Sequence, residues 1–94
     1  MKFSEWSQDR IDAGVKHTTA RSKPQPDDPD VLFMFTKPIP LGIIKKYFYI
    51  EEGASSPEEL QKKVNQIWRR EVPEDRELFL HVLKPKKKGV KNAE

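Results

Sequence analysis

The 94 residues predict an α+β fold, a small mixed β-barrel with two helices in a single domain. Three observations carry this expectation. Two stretches, one near each end, repeat apolar residues at helical spacing. The runs between and after them are short, apolar and of strand length, and proline-rich turns separate them. The length suits one small core, there is no internal repeat, and helices packed on the open side of a curled sheet would cover its apolar face.

The elements follow in order. Met1 to Phe3 is expected to add a short first strand. From Ser4 to Ala13 the pattern is helical: Ser4 can cap the first turn, Trp6, Ile11 and Ala13 supply an apolar side, and Gly14 can take the left-handed φ that ends the helix. Lys16 to Arg21 is expected to be extended, since Thr18 and Thr19 are stiff at χ1 and favour strands. Alternation then puts Thr19 and Arg21 on one face and Thr18 and Ala20 on the other. Residues 22–30 hold three prolines and form a loop. Val31 to Phe35 is wholly apolar, as a core strand would be, and Thr36 to Pro40 turns. Leu41 to Ile50 is expected to be a long strand kinked at Gly42, with Lys45, Tyr47 and Tyr49 sharing a face. Ser56, Pro57 and Glu59 form a capping box ahead of a helix that carries Leu60, Val64, Ile67 and Trp68 on one face and ends near Arg70. After a turn at 74–77, Leu78 to Leu83 is the last strand. Residues 1–84 make the domain, and 85–94 a disordered lysine-rich tail.

Composition excludes several function classes. With no cysteine there is no disulfide, thiolate zinc site or catalytic thiol. His17 and His81 lack partners at ligand spacing, and the acidic loop with Asp27, Asp28 and Asp30 reads as solvated, so neither metal nor cofactor is expected. No apolar run reaches membrane-spanning length and the first residues lack a signal-peptide pattern, so the expectation is a soluble, cytoplasmic monomer. The formal charge of +3 is unevenly spread. Five lysines and one glutamate give the last eleven residues +4, which leaves residues 1–83 at −1. A generally basic nucleic-acid surface is therefore not indicated; such a surface must be a local patch plus the tail.

The chemistry concentrates at the helix-to-strand turn. Lys16, Thr19 and Arg21 bring an ammonium, a hydroxyl and a guanidinium toward one strand entrance, beside backbone N–H groups of the turn. That is a cradle for an anionic or carbonyl-bearing ligand. Desolvation and a neighbouring guanidinium both favour an uncharged amine, the form that acts as a base. Thr19 is a nucleophile only with such a base in reach. Arg21 can hold a phosphate or carboxylate bidentately, or pair with an aspartate of the 22–30 loop. Lys45, Tyr47 and Tyr49 form a basic, aromatic face of the kind that stacks bases. Trp68, Phe33 and Phe48 fall on apolar faces and read as core.

The pattern Gly-x-Lys-x-x-Thr-x-Arg, met at Gly14, Lys16, Thr19 and Arg21, resembles the signature of the ASCH (activating signal cointegrator homology) family. Leu41 to Ile44 resembles that family's central strand, Glu52 to Leu60 its acidic-glycine turn into a helix, and Leu78 to Leu83 its closing strand. The resemblance implies a small barrel similar to the RNA-binding PUA domain, with a cleft for RNA or a modified nucleoside. It implies a ligand-binding role for Gly14 and Arg21. In some small relatives a Lys, a Thr and a Glu hydrolyse the amide of N(4)-acetylcytidine; the matching positions are Lys16, Thr19 and Glu52. Relatives usually carry an extra helical segment before that Glu, whereas here Ile50 leads straight into Glu51 and Glu52, so the inward carboxylate is one of these two or neither. Ribonuclease activity, known in other relatives, is a weaker alternative that no histidine pair supports.

Overall fold

The computed structural model describes residues 1–85. Its elements, in chain order, are α1 (Glu5–Asp12), β1 (Thr18–Arg21), β2 (Val31–Met34), β3 (Ile39–Pro40), α2 (Leu41–Phe48), α3 (Pro57–Trp68) and β4 (Glu77–Leu83). The α+β class is as expected, but there are three helices and the sheet is open. β4 is its spine, because β1, β2 and β3 each pair antiparallel with β4 and none of them pairs with another. The expected barrel does not close: β1 and β2 end up on opposite edges of β4. Nor is Met1 to Phe3 a strand.

Local chemistry sets the boundaries of α1 and α3. Ser4 accepts from the Ser7 N–H, and Gly14 takes φ +79 at the far end of α1. At α3, Ser56 accepts from the Glu59 N–H at 3.0 Å. The Glu59 carboxylate does not return to Ser56; Oε1 accepts from the backbone N–H of Ser55 at 2.7 Å, one residue further out. The helix stops at Trp68 because Arg69 adopts a left-handed conformation, φ 57, and the following N–H of Arg70 bonds back to Asn65 O.

The larger correction concerns residues 41–48, which are helical rather than a strand. Leu41 and Ile44 are fully buried and Phe48 packs against the same cluster, an i, i+3, i+7 row. The β-branched and aromatic residues that suggested a strand are shared between the two periods, and the helical row wins by burying its large members against α3. Lys45, Tyr47 and Tyr49 therefore share no strand face. Lys45 Nζ instead donates to Gln61 Oε1 at 2.8 Å and Glu74 Oε2 at 2.9 Å, tying α2 to α3 and to the loop after it. Tyr47 is exposed, and Tyr49 packs partly into the core.

That core comprises Leu41, Ile44, Ala54, Leu60, Val72, Leu78 and Leu80, where α2 and α3 cover one face of β4. Each large member contributes roughly 1.5–3 kcal/mol by leaving water. β2 adds less than its composition suggested: Val31 is buried, but Leu32 and Phe33 are exposed on this edge strand. Among the described residues no helix is long and apolar enough to cross a membrane. Most of the expected tail lies outside the described residues.

Candidate functional site

The site is built where three loop and strand segments meet. The turn after α1 delivers Lys16, β1 delivers Thr18, Thr19 and Arg21, and the turn between α2 and α3 delivers Glu52. Backbone bonds lock the two turns together: Glu51 O accepts from both His17 N at 2.6 Å and Thr18 N at 3.0 Å. Gly53 has φ +96, and a Cβ there would stand 3.1 Å from both Arg10 Cβ and Lys16 Cβ. Only glycine allows that left-handed turn to press so closely on Lys16. Gly14 plays its part through backbone conformation alone, with open space around it.

Of the two candidate acids, Glu52 faces inward and is 4% exposed, while Glu51 is exposed. Lys16 is 5% exposed, and its Nζ lies 3.0 Å from Glu52 O and 3.4 Å from Glu52 Oε1. The other carboxylate oxygen, Oε2, accepts from Thr18 Oγ1 at 2.6 Å. The charge nearest the Lys16 ammonium is thus Glu52, not Arg21 as the sequence suggested. Burying such a pair is tolerable because each charge keeps hydrogen-bond partners.

Thr19 and Arg21 form a second unit on the same strand. Arg21 Nε donates to Thr19 Oγ1 at 3.3 Å, and a terminal nitrogen donates to Lys2 O at 2.7 Å. The guanidinium also lies over the Phe3 ring, 5.1 Å from its centroid. Burial lowers the Arg21 pKa from its ordinary value, against the opposing influence of Glu52 and Asp28, yet a guanidinium remains cationic. With five N–H donors and two in use, it still has donors to offer. Of the loop aspartates, Asp28 and Asp30 pair with the amino group of Met1, and Asp28 reaches Arg21 only through its charge.

Lys16, Thr19, Arg21 and Glu52 all line one cavity of about 110 Å³, whose apolar wall comes from Trp6, Trp68 and neighbouring side chains of α3. This is room for several waters. Lys2 and Lys63 add cations to its rim, and the Lys63 ammonium also faces the Trp6 ring at 5.6 Å. Trp6 Nε1 is buried without a hydrogen-bond partner. Lys45, Tyr47 and Tyr49 do not line this cavity.

Thr18 is the residue that sequence reasoning passed over. Its signal was the alternation along β1, which opposes it to Thr19, but only the position of Glu52 shows what that face meets. His81, fully buried on β4, is structural: its Nε2 accepts from Gln25 N at 3.0 Å and its Nδ1 lies 2.9 Å from Phe79 O, holding the 22–30 loop to the sheet. Among the described residues no group of three or more acidic, histidine or cysteine side chains is arranged to hold a metal ion.

The fold and site together define a small α+β protein with an open antiparallel sheet and, at the sheet's first edge strand, a cavity with one polar and one apolar wall. Compared with family models, curated proteins and solved structures, the chain has no significant match in any of the three.

Proposed function

We propose that the chain is a small ASCH-like protein that binds RNA or a modified nucleoside in the cavity beside β1. The observation that carries this reading is that Lys16, Thr19, Arg21 and Glu52, which come from the turn motif and from the entry to α3, line one cavity. Its apolar wall suits the face of a base, and the inward ammonium, hydroxyl and carboxylate suit the polar edge. A family likeness rests on the motif of Gly14, Lys16, Thr19 and Arg21 at a helix-to-strand turn, with an open sheet in place of a barrel. Because one fold hosts many functions, the argument is the cavity and not the architecture.

A second reading is an amidohydrolase of the N(4)-acetylcytidine type. In it Thr19 Oγ attacks the acetyl carbonyl, Lys16 takes the hydroxyl proton and passes it to the departing cytidine amine, and water then releases acetate from Thr19. Glu52 orients Lys16. The presence of all three side chains around one cavity favours this reading. The bonding favours binding over it: no described hydrogen bond joins Lys16 Nζ to Thr19 Oγ1, and Lys16 is ion-paired with Glu52. A nucleophile needs its base within hydrogen-bond reach.

The test is to incubate purified protein with N(4)-acetylcytidine and, separately, to titrate it with a short single-stranded RNA. Binding without turnover is the expected result. If turnover does occur, Lys16→Arg should abolish it, Thr19→Ser should retain part, and Thr19→Ala none. Neither turnover nor binding of nucleoside or RNA would remove both readings.

A further inference from the structure

A second concavity, about 260 Å³ and wide open, adjoins the cavity and shares Trp68 with it; its other lining residues are Ser22, Arg70 and Arg76. Two guanidinium groups thus share this concavity with Trp68, next to a cleft that already holds cations. Arg76 lies over the Trp68 ring, 5.2 Å from its centroid, a cation–π contact that tethers it beside the concavity. Neither Arg70 nor Arg76 forms an ion pair among the described residues. Acids flank both in sequence, at Glu71, Asp75 and Glu77, but none of the three lines the concavity. The negative end of the α3 dipole lies nearby, equivalent to about half a charge, and two full cations outweigh it. Across the two concavities six cationic residues line the walls against the single carboxylate of Glu52, although residues 1–83 carry a net charge of −1.

This asymmetry calls for a ligand that is anionic beyond the base. We infer that Arg70, Arg76 and Ser22 form a phosphate subsite, so that the nucleoside taken up beside Lys16 arrives as part of a nucleotide or RNA strand whose phosphate lies past Trp68. The inference rests on the nucleoside reading of the cavity and extends it to the class of ligand. Guanidinium groups suit a phosphodiester because their planar donors pair with two oxygens at once, and the serine hydroxyl adds a third donor.

The experiment titrates wild type and the Arg70→Gln/Arg76→Gln double variant with four probes: N(4)-acetylcytidine, its 5′-monophosphate, inorganic phosphate and a 12-nucleotide single-stranded RNA. The variant's melting curve is recorded alongside, and Arg70→Lys/Arg76→Lys serves as the charge-retaining control. The nucleoside should bind both proteins equally. The RNA should bind wild type with a salt slope steeper by about 1.4 than the Gln variant, two phosphate contacts at about 0.7 each, or about sevenfold in affinity between 50 and 200 mM salt. The monophosphate should lose its advantage over the nucleoside in the Gln variant, and the Lys variant should keep most of the slope. An unchanged slope in a folded Gln variant would overturn the subsite while leaving the cavity reading intact. Inorganic phosphate bound as tightly as the monophosphate, and lost in the Gln variant, would overturn the nucleotide assignment. RNA binding that depends on the arginines while no nucleoside binds would place the fault in the cavity reading, and the nucleotide inference would fall with it.

Discussion

Thr18 Oγ1 donates to Glu52 Oε2 at 2.6 Å across the gap between β1 and the turn before α3. This short bond fixes the carboxylate so that its second oxygen meets Lys16. Thr18 is therefore a positioning residue for the cavity floor, although its own side chain does not line the cavity. Thr18→Val keeps the shape and removes the hydroxyl. A hydrogen bond to a charged group contributes about 1.5–3 kcal/mol, so the variant should lose that much in denaturant unfolding. Thr19→Val should cost less, because Thr19 Oγ1 only receives the 3.3 Å bond from Arg21. Equal losses from the two variants would show that the Thr18–Glu52 bond holds nothing in place.

The Lys16–Glu52 pair should behave as a unit. Lys16→Met alone leaves a buried carboxylate without its cation, and Glu52→Gln alone leaves a buried ammonium without its anion. Each should destabilise by about 3–5 kcal/mol. The Lys16→Met/Glu52→Gln double variant should cost clearly less than the sum. A double-mutant cycle from urea melts measures the coupling, and additive losses would mean the two charges do not depend on each other.

Gly53→Ala tests the turn that carries Glu52. A side chain at φ +96 is strained by about 1–3 kcal/mol, and the added carbon would stand 3.1 Å from Lys16 Cβ. Gly14→Ala meets the same kind of backbone strain at φ +79 but no neighbouring atom. Gly53→Ala should thus lose both stability and ligand binding, whereas Gly14→Ala should lose stability with less effect on binding. Thermal melts and nucleoside titrations separate the two outcomes.

The parts of this molecule governed by short-range chemistry were legible in its sequence. Ser4, Gly14, Ser56 and Pro57 act within a few residues of themselves, so α1, α3 and the turn between α1 and β1 fell where expected. Lys16, Thr19, Arg21 and Glu52 line one cavity; the first three lie within six residues of each other in the sequence, whereas Glu52 reaches them through the turn between α2 and α3. What failed depended on partners far along the chain. Leu41, Ile44 and Phe48 form a helical row only because α3 and β4 offer a surface to bury it, and with β-branched and aromatic residues at 43, 44 and 47–50 the stretch carried both periods at once. The face with Lys45, Tyr47 and Tyr49 disappeared with that strand. Sheet closure was likewise illegible, since it depends on whether two edge strands meet. The choice of Thr18 as the carboxylate's anchor could not be read either, because alternation says which residues oppose each other and not which face is occupied.

The entry to α3 gives a pH-dependent prediction. Glu59 accepts from the Ser55 backbone N–H at 2.7 Å and from the Ser55 hydroxyl at 3.1 Å. The backbone bond is the main cause holding its pKa below the ordinary carboxylate value; burial opposes it, and the Ser55 hydroxyl and the charges of Arg10 and Lys63 add smaller downward pulls. A carboxylate depressed in the folded state stabilises the fold at pH values above its unfolded pKa, about 4.3, and that contribution fades as pH falls through the lower folded value. Glu59→Gln removes the titration. The wild type should therefore be the more stable of the two near pH 7, and the difference should shrink steadily once the pH drops below about 4.3. Ser56→Ala acts through a neutral hydroxyl and should cost about 1 kcal/mol with no such dependence in the acid range. Melting temperatures of the three proteins from pH 3 to pH 7 test this directly. A wild-type advantage over Glu59→Gln that persists unchanged at pH 3 would mean that the carboxylate's charge plays no part in starting α3.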